Sequence, residues 1–297
     1  FPQGAPPSDR LYRILALLFS EREAGLVALL PIRPFTLATA ARAWKTTAAE
    51  AEKTLDTLAS RALLIDARRN GEKTWVLPPP MAGFFEFSMM RVRGDVDQEA
   101  LARLFYEYLN VEEDFVRELF ARGETQLGRT FVNEAALPAD DTLHVLDWER
   151  ASEVARNAEH AAVGVCYCRH KMQHVGRACD APLDICLTFG TTADSLSRHG
   201  FARAIDNAEA LDLLAEARGR GLVQFGENVR ERVAFICNCC GCCCEALLAH
   251  RRFGSLRPVH TTGFLPEVDA SLCTGCGACA EACPVEAMTT VPAGDPR

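Results

Sequence analysis

The chain has 297 residues, a formal net charge of -8, 48% hydrophobic residues and 24% charged ones, the balance of an ordinary soluble globular protein. Such a charge excludes generic attraction to nucleic acid or anionic membranes as a property of the whole molecule. The longest apolar runs, Ile14 to Phe19 and Leu26 to Leu30, fall far short of the ~20 residues of a membrane span, so no span is expected and a cytoplasmic location is. The chain starts at Phe1 rather than Met and therefore reads as a processed or partial form of its gene product.

After a Pro/Gly-rich lead, Phe1 to Pro7, Ser8 or Asp9 is placed to cap a helix whose stripe runs through Leu11, Ile14, Leu15, Leu18 and Phe19. Thr36 to Trp44 predicts a second helix. Thr47 to Arg61 predicts a third, capped by Thr46 or Thr47, with Leu55, Leu58 and Leu63 facing inward. Leu63 to Ala67 and Thr74 to Leu77 read as two strands about the turn signal Asn70-Gly71. Three helices followed by a hairpin form a winged-helix pattern, closed by Pro78-Pro79-Pro80, which neither a helix nor a central strand can accommodate.

Beyond that boundary, Asp97 to about Ala121 is expected to be helical, with Leu101, Leu104, Phe105, Tyr108, Phe115, Val116, Leu119 and Phe120 as packing residues. Trp148 to Ala162 reads as one more helix, and Asn207 to Arg218 as another, stopped by Gly219 and Gly221. Leu222 to Phe225 and Val233 to Ile236 read as strands. The fold class is therefore α+β: a winged-helix-like unit over 1–80, a mostly helical cysteine-rich middle domain over 81–250, and a small ferredoxin-like lobe over 251–297.

Fourteen cysteines are absent from residues 1–165 and then crowd into three groups, which is not how a disulfide framework is spread through a small secreted domain. Adjacent thiols such as Cys239-Cys240 are also poor disulfide partners, so metal or cluster binding in a reducing compartment explains them better. The last group, Cys273, Cys276, Cys279 and Cys283 followed by Pro284, has the spacing C-x2-C-x2-C-x3-C-P of a 4Fe-4S ferredoxin run, with Gly275 and Gly277 supplying tight turns. A zinc knot would instead pair two CxxC units across a longer spacer. In two-cluster ferredoxins the fourth cysteine serves the other cluster. Here either a second run lies beyond Arg297, or a middle cysteine completes the site, or Cys283 closes its own.

The first group, Cys166, Cys168, Cys179 and Cys186, has basic Arg169, Lys171 and Arg177 between its members and is able to hold one cluster; zinc is the rival occupant. His170 and His174 could ligate or donate to sulfur, but are expected instead to face solvent or to support the ligands from behind. The second group is Cys237, Cys239, Cys240, Cys242, Cys243 and Cys244, with Gly241 at its turn. Six thiols in eight residues cannot all reach one cube, so this segment is expected to serve two sites or to reach toward the first group. Fourteen thiols allow two or three 4Fe-4S clusters.

The stretches Cys166 to Arg169, Cys179 to Gly190 and Cys237 to Cys244 resemble the ferredoxin-like iron-sulfur proteins of anaerobic bacteria with the pattern CxCR, CDxPxDxCLxFG and CNCCxCCC. The resemblance spans roughly residues 160–290 and implies a cofactor class, iron-sulfur clusters used in electron transfer, rather than a reaction. Electrons would pass between redox protein partners, for which a flavoprotein or metalloenzyme subunit is suitable. No phosphate-cradling run, Rossmann fingerprint or nucleophile-base constellation suggests catalysis.

Two other readings stand beside this one. The first 80 residues hold eleven Lys/Arg against eight Asp/Glu, and a winged-helix unit can read DNA, which makes a cluster-sensing regulator the alternative. Glu50 and Glu52 at the start of the presumed recognition helix oppose phosphate, although Arg68, Arg69 and Lys73 could touch it. A third reading is a catalytic subunit with an open iron or a thiol substrate site.

Overall fold

The structure, a computed structural model, describes residues 5–69, 71–120, 125–137, 145–146 and 149–291. The chain opens with helices α1 (Asp9–Leu18) and α2 (Glu21–Val27), strand β1 (Phe35–Thr36), helices α3 (Leu37–Trp44) and α4 (Ala48–Ala59), and strands β2 (Ile65–Arg69) and β3 (Glu72–Val76). Ser8 caps α1 by accepting from the Leu11 N–H, and Thr47 forms a capping box with Glu50 at α4. Helix α2 was not among the expected elements, yet Ser20 and Glu23 close a capping box of the same kind. The hairpin pairs β1-β3-β2 in antiparallel order, two residues later than expected at β2, because Leu63 and Leu64 are buried where the chain turns out of α4. Asn70 lies outside the described residues; Gly71 holds φ +80, the left-handed conformation that a tight turn requires.

A turn at Pro80–Phe84, non-helical at Met81, Ala82 and Gly83, leads into α5 (Phe85–Met89), followed by α6 (Gln98–Tyr106) and α7 (Asp114–Phe120). The single helix expected over 97–121 is thus two, separated by a π-helical turn at Glu107–Val111; Ala121 lies outside the described residues. Aromatic rings lock these pieces together: Phe85 packs against Phe84 and Phe105, each at a centroid distance of 4.9 Å, and Tyr108 against Phe115 at 5.2 Å. The same core includes Leu11, Ile14 and Leu18 of α1, so apolar packing is continuous across position 80.

The next strands are β4 (Gly128–Thr130), β5 (Ala161–Val165), β6 (Asp184–Phe189), β7 (Ala202–Ile205), β8 (Val223–Glu227) and β9 (Phe235–Cys239). They form one antiparallel sheet in the order β4-β8-β9-β6-β5-β7. Helices α8 (Ala151–Arg156), α9 (Tyr167–His174), α10 (Gly190–Arg198) and α11 (Asn207–Gly219) alternate with these strands, and α12 (Glu245–Phe253) and α13 (Ala278–Ala282) follow them.

The helix expected from Trp148 to Ala162 is a correction. Trp148 lies outside the described residues, only Ala151–Arg156 is helical, and Ala161 begins a strand. The run AAVGV is buried on both faces as an interior strand of the sheet, and a short continuous apolar run has no periodicity to separate strand from helix. The middle region, expected to be mostly helical, does hold more residues in helices than in strands and also carries a six-stranded sheet, and this sheet brings the cysteines together.

Candidate metal centres

Six thiols converge from the sheet and from two helix starts. Cys166 follows β5 at the N-terminus of α9, Cys168 lies on the first turn of α9, Cys186 is in β6, Cys237 and Cys239 are in β9, and Cys244 lies at the N-terminus of α12. Side chains alternate along a strand, so Cys237 and Cys239 share a face. The register that pairs Leu187 with Ile236 sets Cys186 next to Cys237 on the neighbouring strand.

Taken in the order Cys166, Cys168, Cys244, Cys239, Cys237, Cys186 and back to Cys166, each thiol shifts the acidity of the next, so the six act as one ring. All six line one cavity of about 130 Å³, together with Cys240 and Arg169, and its other walls include Phe87, Met90, Phe225, Phe235 and Glu86.

Acidity alternates around the ring. Hydrogen bonds from neighbouring thiols depress Cys166, Cys244 and Cys237, the last to about 6, and the same bonds push Cys168, Cys186 and Cys239 up. Backbone N–H groups at the starts of α9 and α12 also favour the thiolates of Cys166 and Cys244. Burial alone would lower the pKa of Arg169, but Cys166, Cys186 and Cys240 hold its guanidinium charged. Arg169 also donates to the carbonyls of Pro182, at 2.6 Å, and Asn238.

A second group, a tetrad, lies across the end of β9. Cys179 and Cys240 stand 3.5 Å apart, Cys242 and Cys243 3.6 Å apart, and all four sulfurs lie within 4.8 Å of one another. Thiolates around a single tetrahedral ion, bound at about 2.3 Å, stand about 3.8 Å apart, so the tetrad matches that geometry. The Cys240 thiol is depressed to about 5, first by its hydrogen bond from Cys243, with Arg169 contributing. The expectation that Cys166, Cys168, Cys179 and Cys186 share one cluster is corrected here: Cys179, on the loop between α9 and β6, joins the second group, and the other three join Cys237, Cys239 and Cys244.

The basic and imidazole side chains between the first cysteines are spent elsewhere. Lys171, fully buried, bonds Glu245 and Asn110. His170 meets the Met89 carbonyl at 2.7 Å and His174 at 3.3 Å, while Arg177 bonds the Tyr106 hydroxyl. Of these residues, only Arg169 contacts the thiols.

The C-terminal run is on the surface: Cys273, Cys276 and Cys279 are exposed and Cys283 is half-buried. Gly275 and Gly277 hold φ +71 and +80, turning the chain between ligands. The Ala287 N–H donates to the Cys283 sulfur at 3.3 Å; with the neighbouring N–H groups of Val285, Glu286 and Met288 it outweighs burial and depresses that thiol. The Ala278 N–H and the Thr274 hydroxyl depress Cys276. Four thiolates at ferredoxin spacing with N–H groups aimed at sulfur fit a 4Fe-4S cluster.

The lobe is seated on the tetrad. A Cβ added at Gly241, between Cys240 and Cys242, would lie 2.0 Å from the Pro284 carbonyl oxygen, and Arg251 pairs with Glu286. Two contributors escaped sequence reasoning. The role of Gly241 as a seat for the lobe has no local signature. Glu86 does have one, a single carboxylate inside GFFEFSMM.

Residues 266–289 match the family of 4Fe-4S binding domains. The C-terminal lobe is thus a 4Fe-4S binding domain, and the chain is an iron-sulfur protein. Comparison with curated proteins and with solved structures gives no match. Among the described residues no helix is long and apolar enough to cross a membrane.

Proposed function

We propose that the chain is an electron-transfer protein of the reducing cytoplasm, passing single electrons between redox protein partners such as a flavoprotein or a metalloenzyme subunit. The observation that carries this reading is the seating of Pro284 on Gly241, which sets the exposed ferredoxin run against the tetrad loop, while Arg169 links the tetrad to the buried ring. Three thiol groups therefore stand in file from solvent to interior. A bound 4Fe-4S cluster supplies one-electron oxidation and reduction. The protein supplies thiolates, N–H donors and a buried guanidinium that favour an anionic centre. Of the two or three clusters that the thiol count allows, two suit the geometry better, since the tetrad's close spacing favours a single ion.

The hairpin order β1-β3-β2 behind α3 and α4 supports a winged-helix-like unit. Its use in docking a protein partner is favoured over DNA reading: Glu50 is bound within its own helix cap and Lys73 is paired with Asp56. The test is anaerobic purification with iron, sulfide and zinc quantification and low-temperature EPR on reduction. A coloured protein whose reduced signal includes one lost in Cys273→Ala/Cys276→Ala is expected. A folded, colourless, iron-free protein would sink the proposal.

A further inference from the structure

We infer that the ring of Cys166, Cys168, Cys186, Cys237, Cys239 and Cys244 binds one iron-sulfur assembly through all six sulfurs, a centre larger than the four-cysteine cube that adjoins the tetrad at Cys240. This rests on the reading of the chain as an iron-sulfur protein and adds to it the nature of the inner centre.

The first reason is convergence. From β6, β9 and the starts of α9 and α12, all six thiols line one cavity. A cube takes one thiolate on each of its four irons. Choosing four ring members for a cube would leave two buried thiols wedged between its ligands, and nothing in the geometry marks which two.

The second reason is size. Among the described residues, the tetrad sulfurs all lie within 4.8 Å of one another, whereas no three of the ring sulfurs do. The ring is therefore too open for a single ion with bonds of about 2.3 Å, and it surrounds one wall of a cavity of about 130 Å³. The C-terminal run, matched to a cube-binding family, shares this openness.

The third reason is charge. Several thiolates plus an inorganic core form an anion that an apolar chamber does not tolerate alone. Helices α9 and α12 both start at ring cysteines, and the buried guanidinium of Arg169 lines the same cavity while donating to the Asn238 carbonyl between Cys237 and Cys239.

The test uses the full chain carrying Cys273→Ala/Cys276→Ala, whose substitutions are on the exposed lobe and remove its cluster. Native mass spectrometry and Mössbauer spectroscopy, after anaerobic reconstitution with iron and sulfide, then read the middle region alone. The expected result is one species with more than four irons and accompanying sulfide beyond any single tetrad ion. A species holding four irons or fewer overturns the proposal, even if the lobe's own signal in the unsubstituted chain upholds the electron-transfer reading. Cys168→Ser, Cys186→Ser and Cys239→Ser, added singly, are each expected to change the same Mössbauer spectrum. Any one of them that leaves spectrum and iron content untouched also overturns it.

Discussion

Asp66 shows how much one side chain can depend on a distant partner. It is 1% exposed on β2, accepts from Ser195 Oγ at 2.8 Å and Arg198 Nη1 at 2.7 Å, and meets His199 Nε2 at 3.0 Å, all at the C-terminal half of α10 or just beyond it. Asp66→Ala leaves Arg198 without its buried counter-charge and is expected to lower unfolding stability by roughly 3 kcal/mol in chemical denaturation. Burial alone would raise this carboxyl, but Arg198 and Ser195 hold it at about 2 against an ordinary 3.8. Its contribution is therefore present above pH about 4 and lost as pH falls toward 2, so the stabilities of wild type and variant should converge across that window. Gly241 makes a different prediction. Gly241→Ala forces backbone apart at Pro284, and the lobe's cluster signal should bleach several-fold faster in air, followed by EPR.

At the scale of elements, strand alternation is what divides CNCCGCCC. Cys237 and Cys239 project to the ring, and the turn at Gly241 brings Cys240, Cys242 and Cys243 together with Cys179 before α12 restores Cys244 to the ring. If the tetrad holds one ion independently, Cys179→Ser should reduce bound zinc or mononuclear iron by one per chain while leaving the sulfide content unchanged, measured by elemental analysis. The helix starts were legible because Ser8, Thr47 and Asp97 combine capping side chains with apolar stripes. The strand β5 was not, since AAVGV is apolar at every position.

For the molecule as a whole, the core containing Leu11, Phe85, Phe105 and Leu247 ties the N-terminal helices to the same body that holds the ring, while the ferredoxin run faces solvent. This arrangement suits electron entry at the lobe and docking by the N-terminal unit. Titration of the protein with its own upstream DNA is expected to give only salt-sensitive, non-selective binding, with a dissociation constant of roughly micromolar or weaker in 0.15 M salt. A sequence-selective complex of nanomolar affinity would favour the regulator reading.

The C-terminal site was readable in the linear chain because Cys273, Cys276, Cys279, Cys283, their glycines and Pro284 are all local, although the spacing left open which cysteine completes it. That the second cysteine group serves two sites or reaches toward the first group was also visible, since adjacent side chains diverge. Which thiol joins which centre was decided only by the tertiary structure: Cys179 and Cys186 are seven positions apart, yet the β6-β9 pairing takes one to the ring and the loop before β6 delivers the other to the tetrad. Non-local strand register is set by burial of both partners at once, and no segment carries that information by itself.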